Sequence, residues 1–229
     1  MLKPSTCTPC QLYTLGNSFT STEGKGRSGV IMIGEASGHE ESINGTPFVK
    51  YAQAGSKLEE CIKLNGLVRD DFLITNILRC QPPSNRLVGQ WYASGAIAHC
   101  NQYLQKVIQE FVPPPGKRKV ILALGATAYS TITGRFDSIL DVRGYCFCDK
   151  WNLEITVIGS LHPAFIKRGH AHWTSLLVED IKKAVAIAGQ EEWETPEKSV
   201  RDVQPIVFSK VGIGIGRNVE LDDDNDIPF

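Results

Sequence analysis

Short apolar runs bounded by glycine recur along this chain, and the stretches between them carry apolar residues at helical spacing. Residues 28–34 contain Val30, Ile31, Met32 and Ile33 between Gly29 and Gly34. Residues 119–124 contain Val120, Ile121, Leu122, Ala123 and Leu124 before Gly125, and residues 155–159 end in Gly159. Residues 71–76, from Asp71 to Asn76, read as a further strand. Each run has strand length and no polar alternation, as in strands buried on both faces. Helical spacing predicts helices over 55–66, 91–111, 126–132 and 172–188, with Pro113, Pro114 and Pro115 stopping the second. Alternating strands and helices predict an α/β fold with a parallel sheet covered by helices on both faces. In such sheets a ligand lies at the carboxyl ends of the strands.

The polar residues fall at those ends. Glu35, Ala36, Ser37 and Gly38 follow the first strand, then Glu40 and Glu41, then Gly45, Pro47, Phe48 and Val49. Asn76 is read as ending the second strand, followed by Arg79, Cys80, Gln81, Asn85 and Arg86; His162, Pro163 and Ala164 follow the strand at 155–159. Glycines let the backbone approach a flat ligand, Phe48 can stack on a base, and the Asn76 amide offers both a donor and an acceptor. His162 can meet charge developing on a carbonyl oxygen.

Seven cysteines occur in a chain whose first residues hold no apolar signal stretch, so a reducing compartment is expected, with thiols or metal ligands in place of disulfides. No apolar run has the roughly 18–20 residues that span a bilayer, and no membrane partner is expected. Cys7 and Cys10 form a C-x2-C pair, with Cys80 and Cys100 elsewhere. Four thiolates from three segments can hold zinc or an iron–sulfur cluster, and spacing leaves the choice open. Cys61, Cys146 and Cys148 read as structural.

Charge divides the chain. Residues 1–190 hold 20 Lys+Arg against 15 Asp+Glu, and residues 191–229 hold 4 against 10. A basic body of 1–190 and an acidic, largely disordered tail of 191–229 are expected, an arrangement common in proteins that handle nucleic acid.

These residues, taken in order, resemble the iron–sulfur uracil-DNA glycosylases, the family 4 branch of that superfamily, over roughly 5–188. The set is Cys7 and Cys10; Gly34, Glu35, Ala36 and Gly38; Gly45, Pro47, Phe48 and Val49; Asn76, Cys80, Pro82, Pro83, Asn85 and Arg86; Cys100; Ala123, Leu124 and Gly125; His162, Pro163 and Ala164. The resemblance implies a three-layer α/β/α fold around a four-stranded parallel sheet and a [4Fe-4S] cluster on Cys7, Cys10, Cys80 and Cys100. It implies hydrolysis of the N-glycosidic bond of a flipped-out deoxyuridine in DNA, in base excision repair. By family role, Glu35 and Ala36 form the pocket turn, Phe48 stacks on uracil and Asn76 reads its pairing edge. Asn85 sits by the attacking water, and His162 stabilises the leaving anion; Glu41 is a more distant acid. Arg86, Phe165, Ile166, Lys167 and Arg168 would face DNA. A monomer acting in a bacterial or phage-like cytosol, at the nucleoid, is expected.

Two departures stand out. Ser37 replaces the usual proline, and residues 50–54 form a longer link than usual. A relative acting on a modified pyrimidine such as hydroxymethyluracil is therefore an alternative, and a non-catalytic DNA- or partner-binding module is another. Finally, Asp222, Asp223, Asp224, Asn225, Asp226, Ile227, Pro228 and Phe229 resemble the acidic tip of bacterial single-stranded DNA-binding proteins. That implies docking of the tip on a replication or repair protein.

Overall fold

The computed structural model describes residues 2–190. The acidic tail expected over 191–229 lies outside the described residues. In chain order the elements are α1 (Leu12–Leu15), β1 (Val30–Ala36), α2 (His39–Asn44), α3 (Gln53–Leu64), β2 (Phe72–Leu78) and α4 (Ala93–Glu110). They continue with β3 (Val120–Leu124), α5 (Ala126–Thr133), α6 (Ile139–Val142), β4 (Cys146–Cys148), β5 (Thr156–Ser160), α7 (Pro163–Lys167) and α8 (Thr174–Ala188).

The sheet runs β2-β1-β3-β5-β4. Four strands are parallel, as expected, and β4 adds an antiparallel edge to β5. The sheet therefore has five strands where four were expected. Val30, Ile31, Met32, Ile33 and all five residues of β3 are fully buried, which is why these strands read as unbroken apolar runs. The path from β1 through α3 to β2 turns one way, and the path from β2 through α4 to β3 turns the other. Right-handed crossovers then put α3 and α4 on opposite faces. α8 packs beside α3, and α5 follows β3 onto the α4 face.

The direction of winding reverses between β1 and β3, which opens a crevice at their carboxyl ends. Two boundaries differ from the sequence reading there. β1 extends through Glu35 and Ala36, and β2 continues past Asn76 to Leu78 because Ile77 and Leu78 are also buried. Asn76 thus lies within a strand, opposite Gly34 of β1.

Candidate active site

A cavity of about 330 Å3 opens at this crevice, lined by Phe48 and Asn76 among others, and Gly34 lies next to both. A Cβ at this position would lie 2.4 Å from Asn76 Oδ1 and 2.5 Å from Phe48 Cζ, so the missing side chain is what lets both residues close over the strand. Phe48 is buried, with φ at +49°, a left-handed conformation strained for an aromatic residue. Its backbone is held from outside the cavity. The buried Arg69 guanidinium donates from Nη2 to the carbonyls of Pro47 at 2.6 Å and Phe48 at 2.8 Å, and pairs with Glu23 at 2.7 Å. Gly55 lets α3 press on the same segment, where a Cβ would fall 1.9 Å from the Val49 carbonyl oxygen.

The Asn76 amide is 2% exposed, and its Oδ1 has no hydrogen-bond partner. A buried acceptor without a donor is costly unless a ligand supplies one. Across the cavity, the Phe48 and His162 rings stand 5.7 Å apart at 35°. His162 caps α7, its Nδ1 accepting from the Ala164 N–H at 3.2 Å. An accepting Nδ1 puts the proton of the neutral ring on Nε2. Burial, and then the nearby Arg168 charge, push the His162 pKa down to about 4. The ring is therefore a neutral donor at physiological pH.

Two carboxylates border the same cavity. Glu35 Oε2 accepts from Thr127 Oγ1 of α5 at 2.6 Å. Glu41 is buried in the first turn of α2, and burial raises its pKa against the opposing effect of backbone N–H groups, its own and that of Gly38. Ala36, Ala52, Gln53, Ala54, Asn85 and Arg168 complete much of the wall. Asn85 is exposed at φ +55°, directly after Ser84 at +53°.

A half-open cavity thus meets an aromatic face, an orphaned amide oxygen and a neutral imidazole donor. The uracil DNA glycosylase superfamily model matches residues 22–186. The chain belongs to that superfamily. Among relatives, the type-4 uracil-DNA glycosylase of Thermotoga maritima is 33% identical over 187 residues, covering 81% of this chain and 91% of that protein. The type-4 enzyme of Sulfurisphaera tokodaii is 34% identical over 188 residues, covering 80% of each chain. That of Archaeoglobus fulgidus is 31% identical over 165 residues, covering 70% and 77%.

In this superfamily member, Glu35, Ala36, Glu41, Phe48, Asn76, Asn85, His162 and Arg168 all line one cavity. Two residues expected to face DNA do not. Ile166 is fully buried, and Phe165, 7% exposed, stacks on His170 with 4.0 Å between centroids, so both are core side chains of α7. Lys167 and Arg168 are exposed beside them, as is Arg86. Arg69, Thr127 and the Ala164 amide were not legible as site residues, since they act through backbone or from distant helices. Ser37, the departure from the usual proline, bonds Thr20 Oγ1 at 2.8 Å and donates to the Arg79 carbonyl at 3.2 Å, which ties the turn after β1 to the loop after β2.

The four cysteines of the pattern meet elsewhere. Cys7, Cys10, Cys80 and Cys100 border one small void, along with Leu12, Phe19 and Leu78. Lys3 fastens the N-terminal segment by donating to the carbonyls of Leu12 at 2.6 Å, Tyr13 at 2.7 Å and Gly16 at 2.6 Å. Among the described residues no three His, Cys, Asp or Glu side chains are arranged to hold a single metal ion. Burial pushes the Cys80 thiol up to about 12 and Cys100 to about 11. Next to Cys80 lies Arg79, 5% exposed, its Nε without a hydrogen-bond partner and its side chain in no ion pair with a carboxylate among the described residues. An all-sulfur donor set beside an uncompensated buried cation fits an anionic thiolate-held iron–sulfur group. Cys61, Cys146 and Cys148 are buried in the core, away from this void.

Proposed function

We propose that this chain is a uracil-DNA glycosylase that hydrolyses the bond between uracil N1 and deoxyribose C1′ in DNA, with the target nucleotide flipped into the cavity. The orphaned Asn76 Oδ1, which converges with the Phe48 ring over Gly34, is the observation that carries the reading. Uracil brings the missing partner, since its N3–H donates to Oδ1 and its O4 accepts from the Asn76 amide. Cytosine has no N3–H and presents a donor where O4 would be. Phe48 stacks on the base.

In the reaction the C1′–N1 bond breaks and its electron pair leaves with uracil as a delocalised anion. The sugar becomes oxocarbenium-like, water adds at C1′, and the water's proton passes to solvent. The products are free uracil and an abasic site. The barrier falls if donors meet the leaving anion more strongly than the ground-state base. His162 supplies Nε2–H to the uracil O2, and its low pKa keeps Nδ1 unprotonated, accepting from the Ala164 N–H. Asn85 positions the water. Ala36 offers no carboxylate there, and Glu41 assists from further away. Arg86, Lys167 and Arg168 contact the phosphates.

Cys7, Cys10, Cys80 and Cys100 would hold a [4Fe-4S] cluster. Its thiolate bonds would tie the N-terminal segment to the loop after β2 and to α4, a structural role. The link at 50–54 supports a second reading, because Ala52, Gln53 and Ala54 line the cavity and can shape space for a 5-substituted uracil. Release from oligonucleotides carrying uracil, hydroxymethyluracil or cytosine discriminates. Uracil is expected to leave fastest, and a preference for hydroxymethyluracil would replace the first reading by the second. No release of any base would return the chain to a binding module.

Residues 1–190 form the glycosylase domain in this reading, and 191–229 recruit a replication or repair protein through Ile227, Pro228 and Phe229. Phe229→Ala is expected to abolish that interaction without changing excision. If every partner contact survives it, the tip is an ordinary acidic terminus.

A further inference from the structure

Asn85 is exposed, follows a left-handed Ser84, and is itself left-handed, so its backbone alone does not fix where its amide points. The Asn85 N–H bonds only the Pro82 carbonyl of its own turn, at 3.0 Å. Its side chain has one hydrogen-bond partner among the described residues. That partner is Gln81, whose Nε2 donates to Asn85 Oδ1 at 2.7 Å. Gln81 is 6% exposed and does not border the cavity. Its own amide is oriented from the far side, where Asn17 Nδ2 donates to Gln81 Oε1 at 3.1 Å. The two backbones are pinned as well, Asn17 N–H to Gln81 O at 2.9 Å and Gln81 N–H to Asn17 O at 3.0 Å. Three amides thus form a chain with one polarity, running from the segment after α1 to the cavity.

We propose that Gln81 is a positioning residue that holds Asn85 with Oδ1 turned away from the cavity and both Nδ2 protons turned toward it. The inference rests on the reading of Asn85 as the residue that positions water. With this polarity Asn85 donates to the water oxygen and occupies one lone pair, leaving the other aimed at C1′. Turning Asn85 over would set its Nδ2 against Gln81 Nε2, two donors in opposition. It would also require Gln81 and Asn17 to turn together, because each amide fixes the next.

Four variants of the iron-loaded full chain, Gln81→Leu, Gln81→Glu, Asn17→Asp and Asn85→Ala, together with the Gln81→Leu/Asn85→Ala double variant, test this in single-turnover excision at saturating uracil-containing duplex. Gln81→Leu is expected to slow excision roughly 10- to 100-fold, the usual cost of a misplaced reacting group, with DNA affinity unchanged. Gln81→Glu keeps the shape and removes the donor, and is expected to be equally slow. Asn17→Asp lies at an exposed position where folding is not at stake, and it removes the donor that orients Gln81, so it is expected to slow excision as well. In the double variant, Gln81→Leu should add nothing to Asn85→Ala, because it acts through that residue. Normal rates in Gln81→Glu and Asn17→Asp, or additive losses in the double variant, would overturn the proposal. If Asn85→Ala itself excises normally, the reading of Asn85 fails first.

Discussion

The cavity and the cysteine corner share one stretch of chain. β2 and the loop after it deliver Asn76 to the cavity, Cys80 to the corner and Asn85 back to the cavity. The two sites are completed in different ways. In the cavity, Arg69 holds the Phe48 backbone, Ala164 fixes the His162 tautomer and Gln81 holds Asn85. Asn76 Oδ1, on a residue that lines the cavity, is left without a partner. In the corner, burial favours protonated thiols on Cys80 and Cys100, while Arg79 sits buried with no carboxylate paired to it among the described residues. The protein's own hydrogen bonds organise the cavity, whereas in the corner the proposed cluster would supply the charge opposite Arg79. Damage to the corner should therefore act on the fold, and damage to the cavity on the reaction.

The largest effect expected is at the corner. Cys80→Ser should bleach the brown visible absorbance, release iron and lower the melting temperature by on the order of 10 °C or more, because metal binding at such sites is folding free energy. A variant that loses iron yet melts like the parent would erase the contrast. So would a colourless parent that binds stoichiometric zinc.

Next in size is the cavity reader. Asn76→Asp places an acceptor against uracil O4. Losing that hydrogen bond and leaving a polar group unpaired costs about 1–3 kcal/mol, or roughly 10- to 100-fold in excision. Melting should shift little, and cytosine should become the better-tolerated base. Uracil excision at the parent rate would remove Asn76 from the recognition of the base.

The smallest effect concerns pH and sharpens the comparison within the cavity. His162 is neutral down to about 4, whereas in the unfolded chain its imidazole has its ordinary pKa of 6.5. Between those values the unfolded state takes up a proton that the folded state refuses. Stability from this group is thus complete above about 6.5 and declines as pH falls toward 4. Single-turnover excision should show no His162 step near 6.5. In His162→Ala the rate should drop with DNA binding retained. An excision profile with a step near 6.5 that vanishes in His162→Ala would contradict the buried neutral ring.

The sequence exposed β1 and β3 clearly because both faces of these strands are covered, so their burial is written as unbroken hydrophobicity. It exposed Phe48, Asn76, Asn85 and His162 because polar or aromatic residues cluster after such runs. It concealed α2, α6 and α7, which have four to six residues each, too few turns to display a helical period. The end of β2 was hidden because a polar residue inside a buried strand looks like its terminus. Phe165 and Ile166 were assigned to DNA by their place after His162, yet their burial is set by packing against His170 and the core. Arg69 left no trace in the sequence and Gln81 no sign of its role, since their partners are carbonyls and amides whose nearness depends on the completed fold.

Gly34 has a consequence for the order in which this site can change. A single methyl at position 34 would intrude on Asn76 and Phe48 together, so the two residues are contingent on a third that contributes no atom of its own to a substrate. Substitutions at 76 or 48 can be explored while Gly34 stands, but neither can compensate for its loss unless the other also withdraws. The site is therefore epistatic around its smallest member. Gly34→Ala also offers a practical reagent, a protein whose exposed Arg86, Lys167 and Arg168 remain available to DNA while the base is refused entry. Such a protein would separate searching along DNA from excision.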